Sequence, residues 1–101
     1  MRYILTLVLF FSAGGATADE VADKKAQQCA DLGAIVTQLV ALRQDGKREA
    51  RAIRTLTKGK SAVDEQYQPV VQFLSGWIYS LTDEELTYEP GPKYTEACLA
   101  Q

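Results

Sequence analysis

No histidine occurs anywhere in the chain, which removes the usual general base, the usual zinc ligand and the usual switch near neutral pH. Only two cysteines are present, Cys29 and Cys98, and they lack the close Cys-x-x-Cys spacing of a redox pair. There is no glycine-rich phosphate loop, no serine in a nucleophile-elbow context, no internal repeat and no strand-like alternation. These absences take most enzyme classes, dinucleotide sites and β architectures off the table. The remaining enzymatic reading is a small hydrolase with a Ser-Lys pair, formed if folding brings Lys58 or Lys60 near Ser61, Ser75 or Ser80. Metal binding would fall to carboxylates and carbonyls. The densest acidic cluster, Asp83, Glu84, Glu85 and Glu89, lacks the alternating ligands and glycine turn of a calcium loop. Acids gathered at a helix start explain it more simply, so no metal site and no cofactor are expected.

What is present begins with a three-part leader. Met1-Arg2 carries positive charge, Tyr3 to Phe11 is apolar apart from Thr6, and Ala16-Thr17-Ala18 supplies small residues ahead of Asp19-Glu20. This pattern predicts a signal peptide over residues 1–18 with cleavage after Ala18. The apolar run is roughly half the ~20 residues a spanning helix needs, which argues against a retained membrane anchor. No cysteine sits near the cleavage point, which argues against a lipoprotein. The remainder, residues 19–101, has the size of one domain. So small a domain often needs a covalent staple, and in an oxidising compartment the two cysteines read as one disulfide. A closed loop of about 70 residues is worth roughly 4 kcal/mol in the chain-entropy model.

Hydrophobic spacing predicts helices throughout. Leu32, Ile35, Val36, Leu39, Val40 and Leu42 mark a long helix from about Val21 to Gln44, stopped by Asp45-Gly46. Ala50, Ile53 and Leu56 mark a second from about Lys47 to Thr57. Val63, Tyr67, Val70, Val71, Leu74, Trp77, Ile78 and Leu81 mark a third from about Ala62 to Leu81, with a capping-box-like start at Ser61. Pro69 either kinks that helix or marks the first turn of a shorter one. Thr82 to Leu86 reads as a capped short turn, Glu89-Pro90-Gly91-Pro92 as a stiff connector, and Pro92 as the start of a last short helix. Gly33 and Gly76 are candidates for a close helix crossing. Phe73, Tyr79, Tyr88 and Tyr94 lie outside the main stripes and form a possible second contact surface, although in so small a bundle such residues more often cap the edge of the core, where they are placed here. The expected fold is all-α: a small antiparallel bundle of three main helices plus a short C-terminal helix, closed by one disulfide.

Charge is unevenly distributed. From Arg43 to Lys60 there are seven basic residues against two acidic ones, a net of +5. The rest of the chain beyond Ala18 holds three basic residues against eleven acidic ones, a net of −8. Lys47, Arg51, Arg54 and Lys58 are spaced by four, three and four, which places them on one helical face. Charge runs are ordinarily solvated faces. The sharper expectation is a docking face for an acidic protein or an anionic envelope component. Nucleic acid is a poor match for a chain that is acidic overall.

With Cys29, the helix end Arg43-Gln44-Asp45-Gly46 and Cys98, the chain resembles a broad group of small exported bacterial proteins that share a signal peptide, one early and one late cysteine, and this helix ending. The periplasmic acid-stress chaperones are a looser analogue, being also small, helical and closed by one disulfide. This chain lacks their aromatic residue before the first cysteine and spaces its cysteines more widely. The resemblance implies a periplasmic or secreted protein. The resulting expectation is a non-enzymatic binding protein, with a stress-responsive holdase as the second reading and the Ser-Lys hydrolase as the third.

Overall fold

The computed structural model describes the backbone from Arg2 to Gln101 and the side chains from Asp19 to Gln101. The leader expected over residues 1–18 therefore lies outside the residues whose side chains are described. Among the described residues there are five α-helices, one short 3-10 turn and no strand. The helices are α1 (Arg2–Gln44), α2 (Glu49–Thr57), α3 (Gln68–Ser80), α4 (Asp83–Leu86) and α5 (Pro90–Leu99). The fold is all-α as expected, with five helices rather than three plus one. Among the described residues, no helix is long and apolar enough to cross a membrane.

The first helix begins at Arg2 and not near Val21 as expected, while local chemistry explains several of the other boundaries. The end of α1 is a Schellman motif: Gly46 takes φ +84°, its N–H donates to Arg43 O at 2.9 Å, and Lys47 N–H donates to Leu42 O at 3.0 Å. A residue with a Cβ would be strained at that φ, so the Asp45-Gly46 stop is conformational as well as compositional. The second helix begins at Glu49, two residues later than expected, and Arg48 precedes it in an extended conformation. Its buried residues are Ala52 and Leu56, while Ala50 faces solvent.

The third helix differs most from its sequence reading. It starts at Gln68, preceded by the 3-10 turn Glu65–Tyr67, and Pro69 sits in its first turn. Proline has no N–H to offer and a φ already suited to helix entry, so it marks a start and not a kink. Ser61 does not cap it. The chain instead folds back over α2, where Val63 N–H donates to Leu56 O at 2.8 Å. The start of α4 matches its reading in full: Glu85 N–H donates to Thr82 Oγ1 at 3.1 Å, and Thr82 N–H donates to Glu85 Oε1 at 2.8 Å.

The expected connector before the last helix is part of that helix. Glu89 adopts a left-handed conformation, φ 57° and ψ 66°, and α5 begins directly at Pro90. Both prolines fit because the first N–H groups of a helix have no intrahelical partner to lose.

The core is continuous. Ile35, Val36 and Leu39 from α1 meet Ala52 and Leu56 from α2, Val71, Leu74 and Ile78 from α3, together with Tyr67 and Leu86. The first helix also packs extensively along α5, with Cys29 and Cys98 joined at a Cα separation of 5.6 Å. Gly33 makes its close crossing here, not with Gly76. A Cβ on Gly33 would run into Thr95 Oγ1, and one on Gly91 would run into Thr37 Oγ1 and lie 3.0 Å from Gly33 O. Each helix thus presents a glycine opposite the other's threonine, in antiparallel register. Gly76 has only Glu49 Oε2 near it, at 3.9 Å from a Cβ position.

Candidate functional site

The second helix presents one apolar and one basic side. Ala52 and Leu56 point into the core, which turns Arg51, Arg54 and Lys58 outward, and all three are exposed. Together with Thr55 and Gly59 they line one shallow depression of about 360 Å³. Thr55 Oγ1 donates to Arg51 O at 2.9 Å, so this hydroxyl is engaged with the helix itself. Arg54 and Lys58 also sit at the C-terminal end of the helix, where positive charge is favoured by its dipole.

Lys47 stands apart from these three. It precedes α2 and does not line the depression, although its carbonyl is used: Tyr79 Oη donates to Lys47 O at 2.7 Å and ties the end of α3 to the α1–α2 turn. Burial, and then the nearby Glu49 carboxylate, raise the Tyr79 pKa above its ordinary value, with Arg43 acting in the opposite direction.

Arg43 belongs to the basic segment by sequence and to the scaffold by position. Its guanidinium donates to Ile78 O at 2.6 Å, capping a carbonyl near the end of α3, and pairs with Asp83 at 3.4 Å. Among the described residues this is the only ion pair between two side chains within 4.0 Å. Arg51, Arg54 and Lys58 therefore stand together without a carboxylate partner.

The acidic residues around α4 have local roles. Asp83 faces Arg43, Glu85 closes the capping box, and Tyr88 Oη donates to Glu84 Oε1 at 3.3 Å. The hydrogen bonds from Thr82, backbone first and hydroxyl second, hold the Glu85 carboxyl below the usual carboxylate range. Among the described residues, no three His, Cys, Asp or Glu side chains gather in a way that could hold a metal ion. The serines are dispersed. Ser80 Oγ donates to Trp77 O at 2.6 Å, Ser61 is exposed, and Ser75 is fully buried with an Oγ that finds no partner.

A second surface takes in two of the four aromatic residues that the sequence offers as a possible contact group, Tyr88 and Tyr94, but neither Phe73 nor Tyr79. Trp77, Leu81, Glu85, Tyr88, Lys93 and Tyr94 line a largely apolar groove of about 370 Å³ between the end of α3, α4 and α5. The Trp77 and Tyr94 rings are 6.0 Å apart between centroids, with their planes inclined by 42°. Lys93 Nζ lies 5.5 Å from the Tyr88 ring centroid. Of the four aromatic residues placed at the core edge, Tyr79 and Tyr94 pack there, whereas Phe73 and Tyr88 are 77% and 54% exposed. Trp77, read as a member of the core stripe, is 36% exposed. The groove is assembled from three elements, so no single periodic stripe announces it.

Elsewhere on the surface, Tyr67 Oη donates to Asp31 Oδ2 at 2.8 Å, and Gln27 Nε2 donates to Asp31 Oδ1 at 2.8 Å. Burial, reinforced by the Asp31 carboxylate, raises the Tyr67 pKa. This cluster fixes the entry to α3 against α1.

No protein-family model, curated protein or solved structure matches the chain. The functional reading therefore rests on the two surfaces themselves.

Proposed function

We propose that the chain is an exported, non-enzymatic binding protein of the bacterial periplasm that docks an acidic partner through the basic side of α2. In this reading the helices act as a rigid antiparallel bundle stapled by the disulfide, and α2 is its contact element. The observation that carries the proposal is the grouping of Arg51, Arg54 and Lys58, exposed, around one depression and unpaired. Holding like charges together costs repulsion, which a partner of opposite charge relieves. Guanidinium groups suit carboxylates and phosphates alike because their donors form a planar fork.

Affinity capture from envelope extract tests this, using oxidised residues 19–101 as bait and comparing low with high ionic strength. An acidic partner held by this face is lost as salt screens the contact. Capture that is indifferent to salt speaks for an apolar contact and against the proposal.

A stress-responsive holdase is the second reading, favoured by the capping box of α4. Its Glu85 carboxyl is held low by the folded state, so acid removes a contact that shapes the groove wall. A protein that keeps its near-UV spectrum and suppresses no aggregation of a client at pH 3 disposes of this reading.

A further inference from the structure

The groove between α3, α4 and α5 combines aromatic walls with one carboxylate and one ammonium. The Trp77 and Tyr94 rings pack against each other, tilted by 42° at 6.0 Å, so that they offer the groove their outer surfaces. The exposed Tyr88 ring has Lys93 Nζ at 5.5 Å, within the ~6 Å reach of a cation–π contact. Glu85 is held at the wall by its hydrogen bond from Thr82 N–H. At about 370 Å³ the space has the size of a small-molecule site.

The lining discriminates among occupants. A purely apolar guest would desolvate Glu85 and Lys93 without replacing their water. A simple anion would use Lys93 alone and meet Glu85, with Glu84 and Glu89 nearby in sequence. A primary ammonium needs several hydrogen-bond acceptors, whereas this lining is mostly rings and aliphatic surface. A quaternary ammonium is large, weakly hydrated and satisfied by ring faces. From these features we infer that the groove binds a small zwitterion carrying a quaternary ammonium beside an anionic group. The ammonium lies among Trp77, Tyr88, Tyr94 and Glu85, and Lys93 receives the anion. This site is separate from the basic side of α2 and does not depend on it.

The chain contains a single tryptophan, and it lies in this groove, so its fluorescence reports occupancy directly. Oxidised protein is titrated with phosphocholine, with choline, and with 3,3-dimethylbutanol, the uncharged isostere of choline. The expected result is a saturable change in Trp77 emission with phosphocholine, a weaker one with choline and none with the isostere. Tyr88→Ala weakens binding roughly 3- to 30-fold, the value of a cation–π contact. Lys93→Ala brings phosphocholine down to the level of choline. Both side chains are exposed, and circular dichroism checks that each variant folds. Phosphatidylcholine vesicles form a further arm: a response to them as well as to free phosphocholine assigns the headgroup of a lipid, and a response to phosphocholine alone assigns a free solute. The inference is overturned if phosphocholine gives no saturable change up to about 10 mM, well above a ~1 mM dissociation constant. It is equally overturned if the isostere binds as tightly as choline.

Discussion

At the scale of single residues, two glycines that look alike in sequence do opposite things. Gly33 is pressed against Thr95 and the Gly91 carbonyl, while Gly76 faces open space with Glu49 at its edge. Overpacking at Gly33 has no outlet, since the backbone of α5 lies behind the threonine. Gly33→Ala should lower stability by about 1–3 kcal/mol, and Gly76→Ala should raise it by about 0.5–1 kcal/mol through helix propensity. Urea unfolding of the two variants measures both signs. Ser75 gives a second case. Its buried hydroxyl has no partner, so Ser75→Ala removes an unsatisfied group and should stabilise by about 1 kcal/mol. A loss on the same assay would reveal a hydrogen bond made in solution. The sequence pointed to Gly33 as a crossing point, but its partner could not be read. Crossing partners depend on which helices become neighbours, and periodicity within one helix carries no such information.

At the scale of elements, boundaries set by local chemistry were legible and boundaries set by chain path were not. The C-terminal end of α1 and the start of α4 depend on a glycine turn and a capping box, each contained within a few residues. Pro69 offered the true start of α3 only as one of two alternatives, because the turn before it depends on the chain folding back over α2, and the start of α5 depends on a left-handed Glu89. Neither leaves a periodic mark. The basic spacing on α2 was equally legible, because Arg51 and Arg54 fall inside one helix and Lys58 is its C-cap. Lys47 was drawn into it by the same count and lies outside the helix. Predictions for α4 follow from its cap. Thr82→Ala should cost about 1 kcal/mol at neutral pH. The Glu85 pKa is lower folded than unfolded, so its stabilising effect is present above the ordinary glutamate range and is lost as pH falls through the lowered value. A chemical-shift titration of the Thr82 amide should therefore show a transition below the ordinary glutamate pKa, and Thr82→Ala should move the Glu85 titration upward.

At the scale of the whole molecule, one covalent link and one charge asymmetry organise the protein. The disulfide pins the last helix along the first, where the reciprocal Gly–Thr contacts continue the same seam. Cys29→Ser with Cys98→Ser should cost about 4 kcal/mol by the loop-entropy argument. Because α5 forms one wall of the aromatic groove, its loosening should also change Trp77 emission. An unfolding midpoint unchanged by reduction would mean that helix packing alone sets stability. The aromatic groove was only partly legible in the sequence: Tyr88 and Tyr94 stood out as a possible contact surface, but the groove walls come from α3, α4 and α5, and Trp77 resembles a core residue by spacing. The charge asymmetry, in contrast, could be counted directly, with its positive part centred on α2.

The most direct measurement of the central claim compares two variants of equal net charge in the same capture experiment. Arg51→Glu with Arg54→Glu reverses the exposed side of α2, whereas Lys24→Glu with Lys25→Glu reverses the same amount of charge on α1, away from α2 in sequence. The docking account predicts that the α2 variant loses the partner and the α1 variant retains it. Equal capture by both, or equal loss from both, would contradict a localised docking face and leave the basic residues as solvated surface.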